Sequence, residues 1–101
     1  MGEGADVLVH RAVDNFVART PETVAGLAQA VARGDADELR ALAHRLKGSA
    51  LNLGAARVAE VSLAMEEAGR TGRTEEAAVL LVELEAALGE AGAALEAYRA
   101  G

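Results

Sequence analysis

Hydrophobic residues recur at helical spacing in five successive segments of the chain, and polar residues fill the remaining positions. This pattern predicts helices from Asp6 to Thr20, from Pro21 to Arg33, from Asp35 to Gly54, from about Ala55 to Arg70, and from Thr74 towards Tyr98. The connections are short, which favours antiparallel packing of successive long helices. We therefore expect an all-α fold, an antiparallel up-down four-helix bundle with an additional short N-terminal helix. The expected organisation is one domain over residues 1–101, with residues 1–5 as a flexible lead-in.

Three local signals set the expected helix boundaries. Thr20, Pro21 and Glu22 combine a hydroxyl cap, a proline at the first helical position and an acid in the first turn, which is typical of a helix start. Asp35, followed three positions later by Glu38, resembles a capping box. Gly54 can end the helix that begins at Asp35.

Composition and charge exclude several classes of function. The chain is 51% hydrophobic but has one Phe, one Tyr and no Trp, so small and aliphatic side chains must form the core. It has no Cys, and its two histidines, His10 and His44, lie in different predicted helices, so no metal motif is evident. A net charge of −6 disfavours nucleic acid. No apolar run is long enough to cross a membrane, and no secretory signal is present. These features predict a cytoplasmic protein, and His10 is expected to be an ordinary surface residue.

His44 lies on the polar side of its predicted helix. At about 100° per residue, Arg40, Lys47, Gly48 and Leu51 fall within about 60° of it. The core leucines of this helix fall about 160° to 220° away, at Leu39, Leu42, Leu46 and Leu53. A histidine in this position is expected to face solvent rather than the core.

A lysine, Lys47, and a glycine, Gly48, lie beside His44 on this face of the helix. Glycine within a helix costs about 1 kcal/mol relative to alanine, so Gly48 implies the close approach of another backbone. That backbone could belong to a neighbouring helix or to a docking partner. Residue types alone leave three interpretations open: a surface histidine and lysine beside a packing glycine, a phosphoryl or proton-transfer site, and a docking surface without chemistry.

The segment His44-Arg45-Leu46-Lys47-Gly48-Ser49-Ala50, continued by Leu53-Gly54-Ala55, resembles the signature of histidine-containing phosphotransfer (HPt) domains. The resemblance extends to both sides, through Phe16 with Thr20-Pro21, through Gly34-Asp35, and through Met65-Glu66-Glu67 with Gly72. It therefore covers nearly the whole chain.

The resemblance implies a role for each matching residue. His44 would accept a phosphoryl group from the phospho-aspartate of one receiver domain and pass it to the aspartate of another. Lys47 would contact the phosphoryl oxygens. Gly48 would leave room for the receiver, with Leu51, Arg40 and Arg45 around the docking surface. Ser49 occupies the serine position of the family, and its angle of about 140° from His44 places it towards the packed side of the helix, so we expect a structural hydroxyl bonded to the preceding turn.

A polar residue about 22 positions after the histidine commonly bonds the imidazole in this family, and here that position is Glu66. A carboxylate there would orient the ring and leave one nitrogen free to attack. The alternative is an exposed acid paired with Arg70 at i,i+4.

The expected protein is a phosphohistidine carrier rather than an enzyme, because the chain has no nucleotide-binding loop and no acidic cluster suited to Mg²⁺. The resemblance implies response-regulator receiver domains and a bacterial hybrid histidine kinase as partners, with Mg²⁺ on the receiver. A complete bundle within one chain favours a monomer. Two alternatives stay open: the phospho-accepting domain of a chemotaxis-type histidine kinase, and a non-phosphorylated receiver-binding decoy.

Overall fold

Four helices form the protein in a computed structural model, which describes the backbone of residues 2–100 and the side chains of residues 10–97. They are α1 (Gly2–Arg33), α2 (Ala36–Leu53), α3 (Ala56–Arg70) and α4 (Thr74–Ala100). The molecule measures 47 × 19 × 19 Å. Its long dimension matches the length of α1, since 32 residues at about 1.5 Å each span about 48 Å. The all-α antiparallel four-helix bundle predicted from the sequence is confirmed.

The additional N-terminal helix is not a separate element, because α1 continues through Pro21. The buried positions Val13, Phe16 and Leu27 keep one helical phase across the proline, so one helix buries the whole stripe. The proline lacks the N–H that would bond the carbonyl of Val17, but both residues are exposed and water can satisfy that carbonyl. The helix start predicted at Thr20 and Pro21 is therefore wrong. The Thr20 hydroxyl instead bonds the carbonyl of Phe16 at 2.7 Å.

Residues 2–5, expected as a lead-in, belong to α1. The side chains of residues 2–9 and 98–100, including Tyr98 at the predicted end of the last helix, lie outside the described residues.

Helix α2, which includes His44, has a defined cap at each end. The Asp35 carboxylate accepts the Glu38 N–H at 3.1 Å, as expected of an N-cap. The Asp35 N–H bonds Ala30 rather than the Glu38 side chain, so only half of a capping box forms. At the other end, Gly54 adopts φ +72°, and Ala55 donates to the Ala50 carbonyl at 2.8 Å. This arrangement is a Schellman motif, which requires the left-handed conformation that glycine allows.

The core consists mainly of small and aliphatic side chains from all four helices. Its largest fully buried members are Leu27, Leu39, Met65, Leu84, Val13 and Val58, together with the polar Ser62. The inward side of α2 is formed by Leu39, Ala43, Leu46 and Ala50. Burial of these four residues leaves His44 on the outer surface of a helix held along its length.

Candidate functional site

His44 projects from α2 into solvent, with 65% of its side chain exposed. The neighbouring Ala43 is buried, and this anchors the backbone at the base of the imidazole. The helical-wheel expectation for His44 therefore agrees with the structure. A rigid helix presents a titratable ring to any molecule that approaches this face.

Glu66 of α3 bridges the two candidate residues of α2. Its Oε2 lies 2.7 Å from Nδ1 of His44, and its Oε1 accepts a hydrogen bond from Nζ of Lys47, also at 2.7 Å. The carboxylate is 19% exposed and Lys47 is 24% exposed, so this bridge is more sheltered than the imidazole. One carboxylate thus holds a ring nitrogen on one oxygen and an ammonium group on the other.

The bridge fixes the proton arrangement of the imidazole. An ionised carboxylate only accepts hydrogen bonds, so Nδ1 must be the protonated nitrogen that donates to it. In the neutral ring this leaves Nε2 with its lone pair. The ring nitrogen with a lone pair available to another molecule is therefore Nε2, the one not in contact with Glu66.

The charges around Glu66 favour its ionised form. The pKa of its carboxyl group is lowered chiefly by the hydrogen bond from Lys47, with a smaller contribution from His44 and against the opposing effect of partial burial. Glu66 is therefore a carboxylate at neutral pH, as the assignment of the Nδ1 proton requires.

The alternative pairing of Glu66 with Arg70 is not found. Arg70 instead forms a bidentate contact with Glu67, at 3.0 Å from Nε and 2.6 Å from Nη2 to Oε1. This contact lowers the pKa of the Glu67 carboxyl and raises that of the Arg70 guanidinium. Two adjacent glutamates of α3 therefore have different partners, and the one 22 positions after His44 is the one that reaches it.

Gly48 has open space beside it. A Cβ atom built on this residue would meet no heavy atom within 4 Å. A packing role against a neighbouring helix is therefore excluded, although it was one explanation of this glycine. One turn further along the same face, Leu51 is 63% exposed. Together they form a shallow surface beside His44 with little side-chain cover.

Arg40 and Arg45 are both exposed on α2, before and after the imidazole. Arg45 also lines an open groove between α1 and α2, beside Phe16, Arg19 and Ser49. The placement of Ser49 differs from expectation: it is exposed, and no hydrogen bond to the preceding turn is found among the described residues. The α1–α2 interface opens into this groove at Ser49, so its side chain is not packed.

Charge is segregated between helices. From residue 39 to residue 53, α2 has arginines, a lysine and a histidine but no acid. From residue 74 to residue 97, every charged residue of α4 is a glutamate. Although the whole chain has a net charge of −6, the part of α2 around His44 therefore has only basic charged side chains, and Glu66 of α3 pairs with one of them, Lys47. Such side chains attract anionic groups.

The sequence did not reveal the ion pair between Lys47 and Glu66. Lys47 was expected to point at a phosphoryl group rather than at a carboxylate of its own chain. The available signal was Glu66 itself, because an acid placed to reach His44 also lies within reach of a lysine one turn further along α2.

Other kinds of site find no support in the described part of the chain. No group of three or more His, Cys, Asp or Glu residues there is placed to hold a metal ion. Among the described helices, none is both long enough and apolar enough to cross a membrane.

The sequence and the fold are both similar to those of known proteins. The family model described as "Hpt domain" matches residues 11–97. The fold is similar to that of histidine-containing phosphotransfer protein B (HptB) from Pseudomonas aeruginosa PAO1, with a TM-score of 0.86 and 29% sequence identity. That match covers 98% of this chain and 83% of the HptB chain. None of the curated proteins matches this sequence. Because the family match spans most of its length and includes the helix with His44, this chain belongs to the Hpt domain family.

Proposed function

We propose that this protein is a phosphorelay intermediate that accepts a phosphoryl group on His44 and passes it to the aspartate of a receiver domain. Membership of the Hpt family supports a histidine phosphotransfer role. The observation that most supports His44 as the acceptor is the 2.7 Å contact between its Nδ1 and Glu66, which leaves Nε2 free on an exposed ring.

The transfer step needs no proton movement. The Nε2 lone pair attacks the phosphorus of an aspartyl phosphate, a nitrogen–phosphorus bond forms, and the bond from phosphorus to the aspartate oxygen breaks. The aspartate carboxylate leaves with the electron pair. The ring becomes a cation that retains its Nδ1 proton, and Glu66 stabilises that cation by remaining ionised. Transfer to a second aspartate is the reverse of this step.

Lys47 supplies a positive charge near the transferred group. Phosphoryl transfer proceeds through a loose transition state, so positioning and charge neutralisation provide most of the rate enhancement. The ammonium group of Lys47 is already held 2.7 Å from Oε1 of Glu66. This group can turn towards a phosphoryl oxygen while the aliphatic part of the lysine side chain stays packed. The exposed Arg40 and Arg45 extend the same positive surface towards the partner.

The partner that fits this site is a receiver domain presenting an acyl phosphate, with a hybrid histidine kinase as the source of the phosphoryl group. The open surface at Gly48 and Leu51 would admit the receiver backbone. Mg²⁺ would be held by the receiver. We further propose that the protein acts as a monomer in the bacterial cytoplasm, as a carrier without kinase activity of its own.

A transfer experiment tests this proposal. The protein is phosphorylated with phosphoramidate, freed of reagent, and mixed with a panel of purified receiver domains and Mg²⁺. The expected result is loss of the acid-labile group from this chain and gain of a base-labile acyl phosphate on at least one receiver. A receiver whose aspartate is changed to Asn is the control and should gain nothing. A phosphorylated chain from which no receiver removes the group would contradict the relay role. A chain that binds receivers but gains no phosphoryl group from the reagent or from a phosphorylated receiver would favour the decoy.

A further inference from the structure

Of the described glycines, Gly69 has the closest neighbours, because it lies where α3 packs against the backbone of α2. Gly69 is buried, and a Cβ atom built on it would lie 2.7 Å from the backbone N of Arg40. The same atom would lie 2.9 Å from the carbonyl oxygen of Ala36. All of these neighbours are backbone atoms, so no side-chain rotation could relieve the clash.

This close approach lies one helical turn from the bridge at His44. Gly69 follows Glu66 by three residues, a rise of about 4.5 Å, and Arg40 precedes His44 by four residues, a rise of about 6 Å. The two helices run antiparallel, so Gly69 opposite Arg40 places Glu66 opposite His44 and Lys47. The backbone separation at Gly69 therefore determines how far the Glu66 carboxylate must reach.

We propose that Gly69 is a positioning residue, which acts through Glu66 by allowing α3 to approach α2 closely enough for one carboxylate to contact both His44 and Lys47. Only the expected effect of Gly69 on phosphorylation rests on the proposed function. The positioning of Glu66 can be measured without any phosphoryl group. Ordinary contact for a Cβ begins at about 3.4 Å, so a methyl group at Gly69 would displace α3 by several tenths of an ångström or more.

The test compares Gly69→Ala with two control glycines. At Gly26, a Cβ would meet only the flexible Leu42 side chain at 3.3 Å, and at Gly89 it would meet nothing within 4 Å. The first readout is the pKa of the Glu66 carboxyl, followed by carbon-detected NMR. We expect it to rise towards the ordinary value in Gly69→Ala, and to stay at the wild-type value in Gly26→Ala and Gly89→Ala. A folded Gly69→Ala protein with an unchanged Glu66 pKa would overturn the inference.

The second readout is the rate of phosphorylation by phosphoramidate in a double-mutant cycle. A displacement of this size is expected to slow phosphorylation of Gly69→Ala about tenfold. In the background of Glu66→Ala, Gly69→Ala should cause no further loss, because it acts through a carboxylate that is no longer there. Equal losses in both backgrounds would mean that Gly69 acts through the fold in general, which would also overturn the inference.

Glu66→Asp keeps the proposal testable if Gly69→Ala does not fold. This variant retains the carboxylate but withdraws it by about one carbon–carbon bond, about 1.5 Å. We expect phosphorylation to slow about tenfold or more. Phosphorylation at the wild-type rate would show that the close approach is not needed. If phosphoramidate does not phosphorylate wild type, the NMR titration alone decides the role of Gly69, and transfer from a phosphorylated receiver decides the proposed function.

Discussion

The Nδ1 atom of His44 lies 2.7 Å from Oε2 of Glu66, a residue of the next helix and 22 positions later in the chain. This contact determines which ring nitrogen has the proton and which one is free. Because the other carboxylate oxygen binds Lys47, the imidazole and the cation beside it share one anchor.

Removing the Glu66 carboxylate should slow phosphorylation of His44. In Glu66→Ala the ring loses the acceptor for Nδ1, so we expect the rate with phosphoramidate to fall about tenfold or more. The phosphorylation rate of Glu66→Gln should lie between those of wild type and Glu66→Ala, since the amide oxygen can still accept a hydrogen bond but has no charge. Time-resolved intact mass gives these rates. The matched control is Glu67→Ala, the adjacent acid, whose partner is Arg70. Equal losses in both variants would contradict a specific role for Glu66.

Acid should remove the stabilisation that the Glu66 carboxylate provides. Its pKa is lowered in the folded protein, so the unfolded chain binds the proton more tightly. The stabilisation is therefore complete above the ordinary glutamate value near 4.5 and is lost as the pH falls through the lowered folded pKa. We expect the difference in unfolding free energy between wild type and Glu66→Gln, measured in urea, to shrink over that range. The comparison is needed because Glu67 also has a lowered pKa. A difference that does not change with pH would contradict the pairing.

Side chains at Gly48 should affect the partner more than the fold. The space beside it is open, so Gly48→Ala should raise the unfolding free energy by about 1 kcal/mol through helix propensity. Gly48→Gln should fold but slow transfer to a receiver about tenfold, which corresponds to about 1.4 kcal/mol of activation free energy. Phosphorylation by the small reagent should fall less than transfer does. Gly89→Gln, at another open helical glycine, is the control. Equal transfer rates in both variants would place the docking surface elsewhere.

Replacing Pro21 should stabilise α1. The helix continues through this residue at the cost of one backbone hydrogen bond, so an alanine there can donate to Val17 and relieve the ring clash. We expect Pro21→Ala to raise the unfolding free energy by up to about 3 kcal/mol, measured in urea. Phosphorylation at His44 should not change, because Pro21 lies on a different helix from the site. A loss of stability would show that the proline ring contributes packing that its exposure does not suggest.

The sequence predicted the bundle and the exposed face of α2 because both depend on local periodicity. The spacing of Leu39, Leu46 and His44 is enough to place the leucines inside and the histidine outside. The helix break at Pro21 was wrong, because a hydrophobic stripe that stays in phase on both sides outweighed the cost of one proline.

Contacts between helices were harder to predict. The reach of Glu66 to His44 was suggested by family resemblance, whereas the reach of Glu66 to Lys47 depends on the separation of α2 and α3. That separation is set where Gly69 meets the backbone of Arg40, 29 positions away in sequence. Helical periodicity places residues on faces, but the distance between two faces depends on packing.

The most direct test of the central claim is intact-protein mass after treatment with phosphoramidate, for wild type beside His44→Gln and His10→Gln. We expect wild type and His10→Gln each to gain one phosphoryl group that is lost on brief acid treatment. His44→Gln should gain none while keeping its helical circular dichroism. An acid-labile group on His44→Gln, or its loss in His10→Gln, would contradict the assignment of His44 as the phosphoryl acceptor.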